Sequence, residues 1–143
     1  MKIGLTTRQR LLVAFAFFAL AIIGFMIKLP SGFRHMDKEL HAAFYFLAAA
    51  LLNILFAGTK IVRHVIIFIL LHLFGMAIEY GQAFSNKFFR ARIHGRFDPE
   101  DVQWNLKGLI AFSMLWFFCT IVILIYNRTA LKSSPYNSKP LKP

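Results

Sequence analysis

Residues 108–126 run for nineteen positions without a single charge. A helix needs about 20 residues to cross roughly 30 Å of hydrocarbon, so this stretch nearly spans a bilayer unaided. Three further apolar runs precede it. Residues 11–27 carry no charge, residues 42–57 are interrupted only by Tyr45 and Asn53, and residues 65–78 contain His72 and continue in the same pattern to residue 84. The second and third runs span only if their polar side chains face protein or water instead of lipid. Lipid cannot satisfy a free backbone amide or carbonyl, so each spanning run must be a helix. The predicted fold is an all-α polytopic membrane protein, a four-transmembrane-helix bundle. A chain that is 58% hydrophobic with seventeen phenylalanines excludes an ordinary soluble domain of this size.

The net charge of +11 could suggest nucleic acid. The basic residues instead flank the spans, as membrane proteins arrange them, and no nucleic-acid partner is expected. Residues 1–10 form a short basic leader, and residues 11–126 the membrane domain. Residues 127–143, polar, with three prolines and no periodicity, read as a disordered basic tail. The first apolar run is long and is followed by Lys28-Leu29-Pro30 without a small-x-small cleavage site, so helix 1 reads as retained and not as a signal peptide. It lacks polar side chains and is expected to offer only apolar contacts. Cys119 is the lone cysteine; it lies mid-span and excludes an intrachain disulfide.

The polar residues within the spans fall in stripes. Asp37, His41 and Tyr45 are spaced i, i+4, i+8, on one helical face. Asp37 also suits an N-cap, with its carboxylate on the first free amides. His72, Gly75, Glu79 and Gln82 recur at intervals of three and four, and Gly75 would let another backbone approach closely. Glu79 must pair, protonate or touch water. His64 is off this stripe and reads as interfacial. Pro30-Ser31-Gly32 and Gly58-Thr59-Lys60 read as turns. Asp98-Pro99 is a strong helix start, a capping acid followed by proline at the first helical position. Asp101, Asn105 and Gly108 then share a face at i, i+4 and i+7, with Lys107 pointing away from it.

With four spans, all six acidic residues lie on one side of the membrane, around the helix 1–2 and helix 3–4 connections. That side carries seven Lys and Arg against nine on the other, Lys107 being intramembrane. The bias favours cytoplasmic N- and C-termini and an extracytoplasmic polar cluster.

Asp37, His41, Tyr45, Glu79, Gln82, Arg96, Asp101 and Asn105 could form one hydrogen-bonded pocket at headgroup depth. Three roles compete for it. The cluster could lock the helices together. It could recognise a lipid or peptidoglycan headgroup, with Arg96 meeting anionic groups. Or it could catalyse, with His41 and Glu79 as acid/base candidates beside Asp101. Histidine and carboxylates could hold a metal, but no H-x3-H or C-x2-C spacing supports one, so no metal and no cofactor are expected.

The same residues carry a resemblance. Asp37-Lys38-x-x-His41, Glu79-x-x-Gln82 and Arg96-x4-Asp101-x3-Asn105-x2-Gly108, in this order over about half the chain, resemble the VanZ-like family of small bacterial membrane proteins. The resemblance implies a multi-pass protein of the bacterial cytoplasmic (inner) membrane, acting at the cell envelope and linked to glycopeptide (teicoplanin) resistance. The expected function is binding of an envelope lipid or glycolipid-like ligand. The alternative is a membrane-embedded enzyme acting on a lipid-linked or drug substrate. Expected partners are membrane lipids, with a lipid-linked envelope precursor or a glycopeptide.

The charge count generates a topology prediction. In a Cys119→Ala background, a cysteine placed at Ser85 should react with a membrane-impermeant maleimide in intact cells. Protection there, with reaction in the 127–143 tail, would invert the orientation.

Overall fold

A computed structural model describes residues 4–26, 36–88 and 97–132, with side chains to residue 130. Residues 1–3, the 30–32 turn, the 89–96 basic loop with Arg96, and residues 133–143 of the tail lie outside the described residues. The architecture is an all-α, four-transmembrane-helix bundle, with no strand among the described residues. Helix α1 covers Thr7–Met26 and α2 Asp37–Leu52, the latter continued by a π-helical turn, Asn53–Ala57. Helix α3 covers Ile61–Ser85 with a closing 3-10 turn, Asn86–Phe88, and α4 covers Pro99–Lys132. All four are long and apolar enough to cross a membrane. Each extends beyond its apolar run.

Local chemistry fixes the ends. The Gln9 amide donates to Thr6 Oγ1 at 3.3 Å and the Thr6 amide to Gln9 Oε1 at 2.9 Å, a reciprocal box that starts α1. As expected, Asp98 caps α4: its Oδ1 accepts from the Glu100 amide at 2.8 Å, with Pro99 opening the helix. The expected cap at Asp37 is not formed. Met36 holds that position without a side-chain bond, and Asp37 is the first helical residue, its carboxylate left for other partners. An acid there still suits the positive end of the helix dipole.

The α2–α3 connection is a tight hairpin. The Gly58 amide donates to Asn53 O at 3.0 Å, five residues back, which defines the wider turn. Gly58 then takes φ 58°, a left-handed conformation that favours glycine where a helix must stop and reverse. Asn53 Nδ2 donates to Ala49 O at 2.8 Å and so competes with the helix's own ladder.

One unit runs up to Phe112, and three of its helices bury a stripe of the same spacing. The stripe is His41, Tyr45, Ala48 and Ala49 on α2; Leu71, Gly75, Ile78 and Glu79 on α3; Asn105, Gly108, Leu109 and Phe112 on α4. Small residues let the helices close up. At Gly108 the α4 backbone rests on α2: a Cβ there would collide with the Ala42 carbonyl. At Gly75 the space is filled by side chains and not by a neighbouring backbone, with Asn105 Nδ2 and the Tyr45 hydroxyl 2.8 and 3.0 Å from where a Cβ would sit. His72 is only half-buried, one position off this stripe.

Helix α1 buries only Ala21, but its contacts are not all apolar as expected. Arg10 Nη1 donates to Leu55 O at 2.9 Å near one end, and Phe25 O accepts from Gln82 Nε2 at 2.8 Å near the other. The second unit, from Ser113, is the rest of α4. It is helical through Lys132, so residues 127–132 are ordered helix where a disordered tail was expected. Phe117, Phe118, Ile123 and Tyr126 are all exposed there, as a lipid-facing helix requires.

Alanine is intrinsically the better helix former by about 0.5–1 kcal/mol. Gly108→Ala should nonetheless lower stability by about 1–3 kcal/mol, because the atom it meets is backbone that cannot turn aside. Gly24→Ala meets nothing within 4 Å and should be neutral or mildly stabilising. Thermal unfolding of both variants in detergent checks the contrast.

Candidate functional site

The site forms where the start of α2, the end of α3 and the start of α4 meet. His41 and Asn105 are the link between α2 and α4. Both are buried, and His41 Nδ1 lies 2.9 Å from Asn105 Oδ1. The amide oxygen can only accept, so the imidazole donates from Nδ1, which in the neutral ring puts the lone pair on Nε2. The Phe25 ring of α1 packs over His41 at 5.1 Å and over Phe44 at 4.9 Å. Those rings shield the imidazole from lipid.

Beneath this pair lie three of the four buried side-chain atoms with no hydrogen-bond partner among the described residues, Tyr45 Oη, Asn105 Nδ2 and Glu79 Oε1; the fourth is His72 Nδ1, elsewhere on α3. Tyr45 is 0% exposed, Asn105 1% and Glu79 2%, so surface water does not reach them. They come from three helices. Tyr45 and Asn105 converge over Gly75, and Glu79 interacts electrostatically with Tyr45, Asp101 and His41. The other Glu79 oxygen, Oε2, accepts from the Asp98 amide at 3.4 Å. An unpartnered buried polar group costs about 1–3 kcal/mol.

Nearer the surface, Asp37 and Asp101 are half-buried. A carboxylate oxygen of each and an imidazole nitrogen of His41 lie within 4.8 Å of one another. The acids Asp37, Glu79, Asp98 and Asp101 therefore converge. Lys38 gives its ammonium to Glu100 and also acts electrostatically on Asp101. Tyr80 stacks on Phe97 at 4.6 Å and fixes the approach to α4.

Of the residues singled out in the sequence, Asp37, His41, Tyr45, Glu79, Asp101 and Asn105 are brought together. Gln82 is occupied elsewhere, binding the Phe25 carbonyl. Arg96 lies outside the described residues. Lys107 faces away, its Nζ 3.6 Å over the Trp104 ring.

A second polar pair was not foreseen. His64, expected to be interfacial, is buried, with Nδ1 2.9 Å from Asn53 Oδ1 at the opposite end of the bundle. The signal available was an Asn inside one apolar run facing a His just after a tight turn. Compared with known proteins, the chain matches no family model, no curated protein and no solved structure.

The geometry separates two kinds of polar residue. Asn105→Leu strands the His41 Nδ1 donor and should destabilise by about 1–3 kcal/mol. Tyr45→Phe deletes a hydroxyl with no partner and should leave the melting temperature unchanged or raise it. Unfolding of the two variants in the same detergent reads both signs.

Proposed function

We propose that this protein is a VanZ-like module of the bacterial cytoplasmic membrane that binds the polar headgroup of an envelope lipid or glycolipid-like ligand. Its termini are cytoplasmic and its pocket opens outward. The observation that carries the reading is the set of buried, unpartnered atoms Tyr45 Oη, Glu79 Oε1 and Asn105 Nδ2, supplied by three helices around Gly75. Such groups persist where a ligand completes them.

Their chemistry narrows the ligand. The carboxylate accepts, the amide donates, and the phenol does either. A sugar hydroxyl or an amine meets that demand. A phosphate placed among Glu79, Asp98 and Asp101 would meet like charge, so the glycosyl or amine part of a headgroup is the part that fits. The exposed apolar faces contact lipid, so a lipid-linked ligand can enter sideways from the bilayer. Glycopeptide resistance follows on this reading if the captured molecule is an envelope precursor.

Glu79→Gln tests binding against catalysis, since it keeps the shape and removes the negative charge. Native mass spectrometry of protein purified from membranes should show a co-purifying lipid. Losing a hydrogen bond to a charged group should weaken its retention about ten- to a hundredfold, with the resistance phenotype falling in parallel. Full lipid retention with loss of phenotype would make the pocket catalytic instead.

A further inference from the structure

We propose that Asp37, His41 and Asp101 form a binding site for a divalent transition-metal cation, Zn2+ or Mn2+, where α2 and α4 begin. The inference does not rest on the lipid reading.

Three kinds of observation point to it. The first is the donor set. Two carboxylate oxygens and an imidazole nitrogen lie within 4.8 Å of one another. Asp37 and His41 sit one helical turn apart on α2, and Asp101 closes the triangle from α4. Ligand atoms about 2.0–2.2 Å from a Zn2+ ion are a little over 3 Å apart, so small side-chain rotations suffice.

The second is the support behind the histidine. Asn105 holds His41 Nδ1 at 2.9 Å, which leaves Nε2 as the coordinating nitrogen. A ring nitrogen fixed in this way, the other left bare, is the usual outer-shell arrangement of a metal-ligating histidine.

The third is a separate, deeply buried group that interacts electrostatically with two members of the triad. Glu79 is 2% exposed, its Oε1 has no partner among the described residues, and its strongest charged neighbours are Asp101 and His41. Asp37 and Asp98 add to the field at Asp101. A divalent cation neutralises this gathering of acids, which Lys38, paired with Glu100 and acting on Asp101 only through space, offsets in part. Three protein ligands leave a coordination position open for water or a ligand group. The half-burial of both aspartates leaves the ion a route in from water.

Imidazole favours Zn2+ and carboxylates favour Mn2+, so both ions are probed alone. Full-length protein, stripped with a chelator in detergent, is dialysed against ZnCl2 or MnCl2 and measured by elemental analysis and titration calorimetry. About one ion per chain should remain, with a rise in melting temperature. Asp37→Asn and Asp101→Asn should each abolish retention. Asn105→Leu, acting through the orientation of His41, should weaken affinity about ten- to a hundredfold.

The aspartate variants relieve charge repulsion, so without metal they should melt no lower than the wild type, which guards against misreading a folding defect. Retention below stoichiometry for both ions, or equal retention in the aspartate variants, would overturn the proposal. So would a melting temperature that does not respond to metal in the wild type.

Discussion

Hydrocarbon neither donates nor accepts a hydrogen bond, so a polar side chain carried into the bilayer has to arrive with its partner. This condition orders the whole chain. Two buried histidines meet it in the same way, each giving Nδ1 to an asparagine oxygen on another element: His41 to Asn105 and His64 to Asn53. One pair ties α2 to α4, and the other ties the end of α2 to the start of α3. They sit at opposite ends of the bundle. The apolar residues between, Ala48, Ala49, Leu71 and Leu109, only need to fit. Glycine decides how closely. At Gly108 two backbones touch, and that approach brings Asp101 and Asn105 within reach of α2.

Against this background the unpartnered atoms stand out. The fold satisfies Asn53, His64, Gln82 and His41. It leaves Tyr45, Glu79 and the nitrogen of Asn105 without partners among the described residues, gathered in one place, and apart from them Nδ1 of His72 on α3. Three of these atoms converge beneath the half-buried Asp37 and Asp101 at one end of the bundle.

Much of this is legible from spacing. Apolar runs and the hydrocarbon thickness define four spans, and the i, i+4, i+7 stripes identify Asp37, His41, Tyr45, Asp101 and Asn105 as mutual neighbours. The Asp98-Pro99 start is local chemistry and is read directly. What stays hidden depends on other helices. Gln82 lies on the expected stripe of α3, yet α1 takes it through the Phe25 carbonyl. Asp37 has the right residue type for a cap but falls one position too late. Spacing within one segment cannot show the grouping of Asp37, His41 and Asp101, because its third member comes from α4. The π-helical turn was not foreseen because it depends on Asn53 competing with its own helix and on the reversal at Gly58.

The two histidine–asparagine pairs also differ in how far along the chain their partners lie. Asn53 and His64 are separated by 11 residues, His41 and Asn105 by 64. Closing a short loop costs less entropy than closing a long one. The α2–α3 hairpin therefore carries its own polar bond from the moment its second helix is made, and it can enter the membrane as a self-contained piece. His41 has no such partner until α4 is synthesised and slides Gly108 against Ala42. The order of synthesis thus leaves the His41 end open until last, and docking of α4 both finishes the fold and gathers the polar cluster.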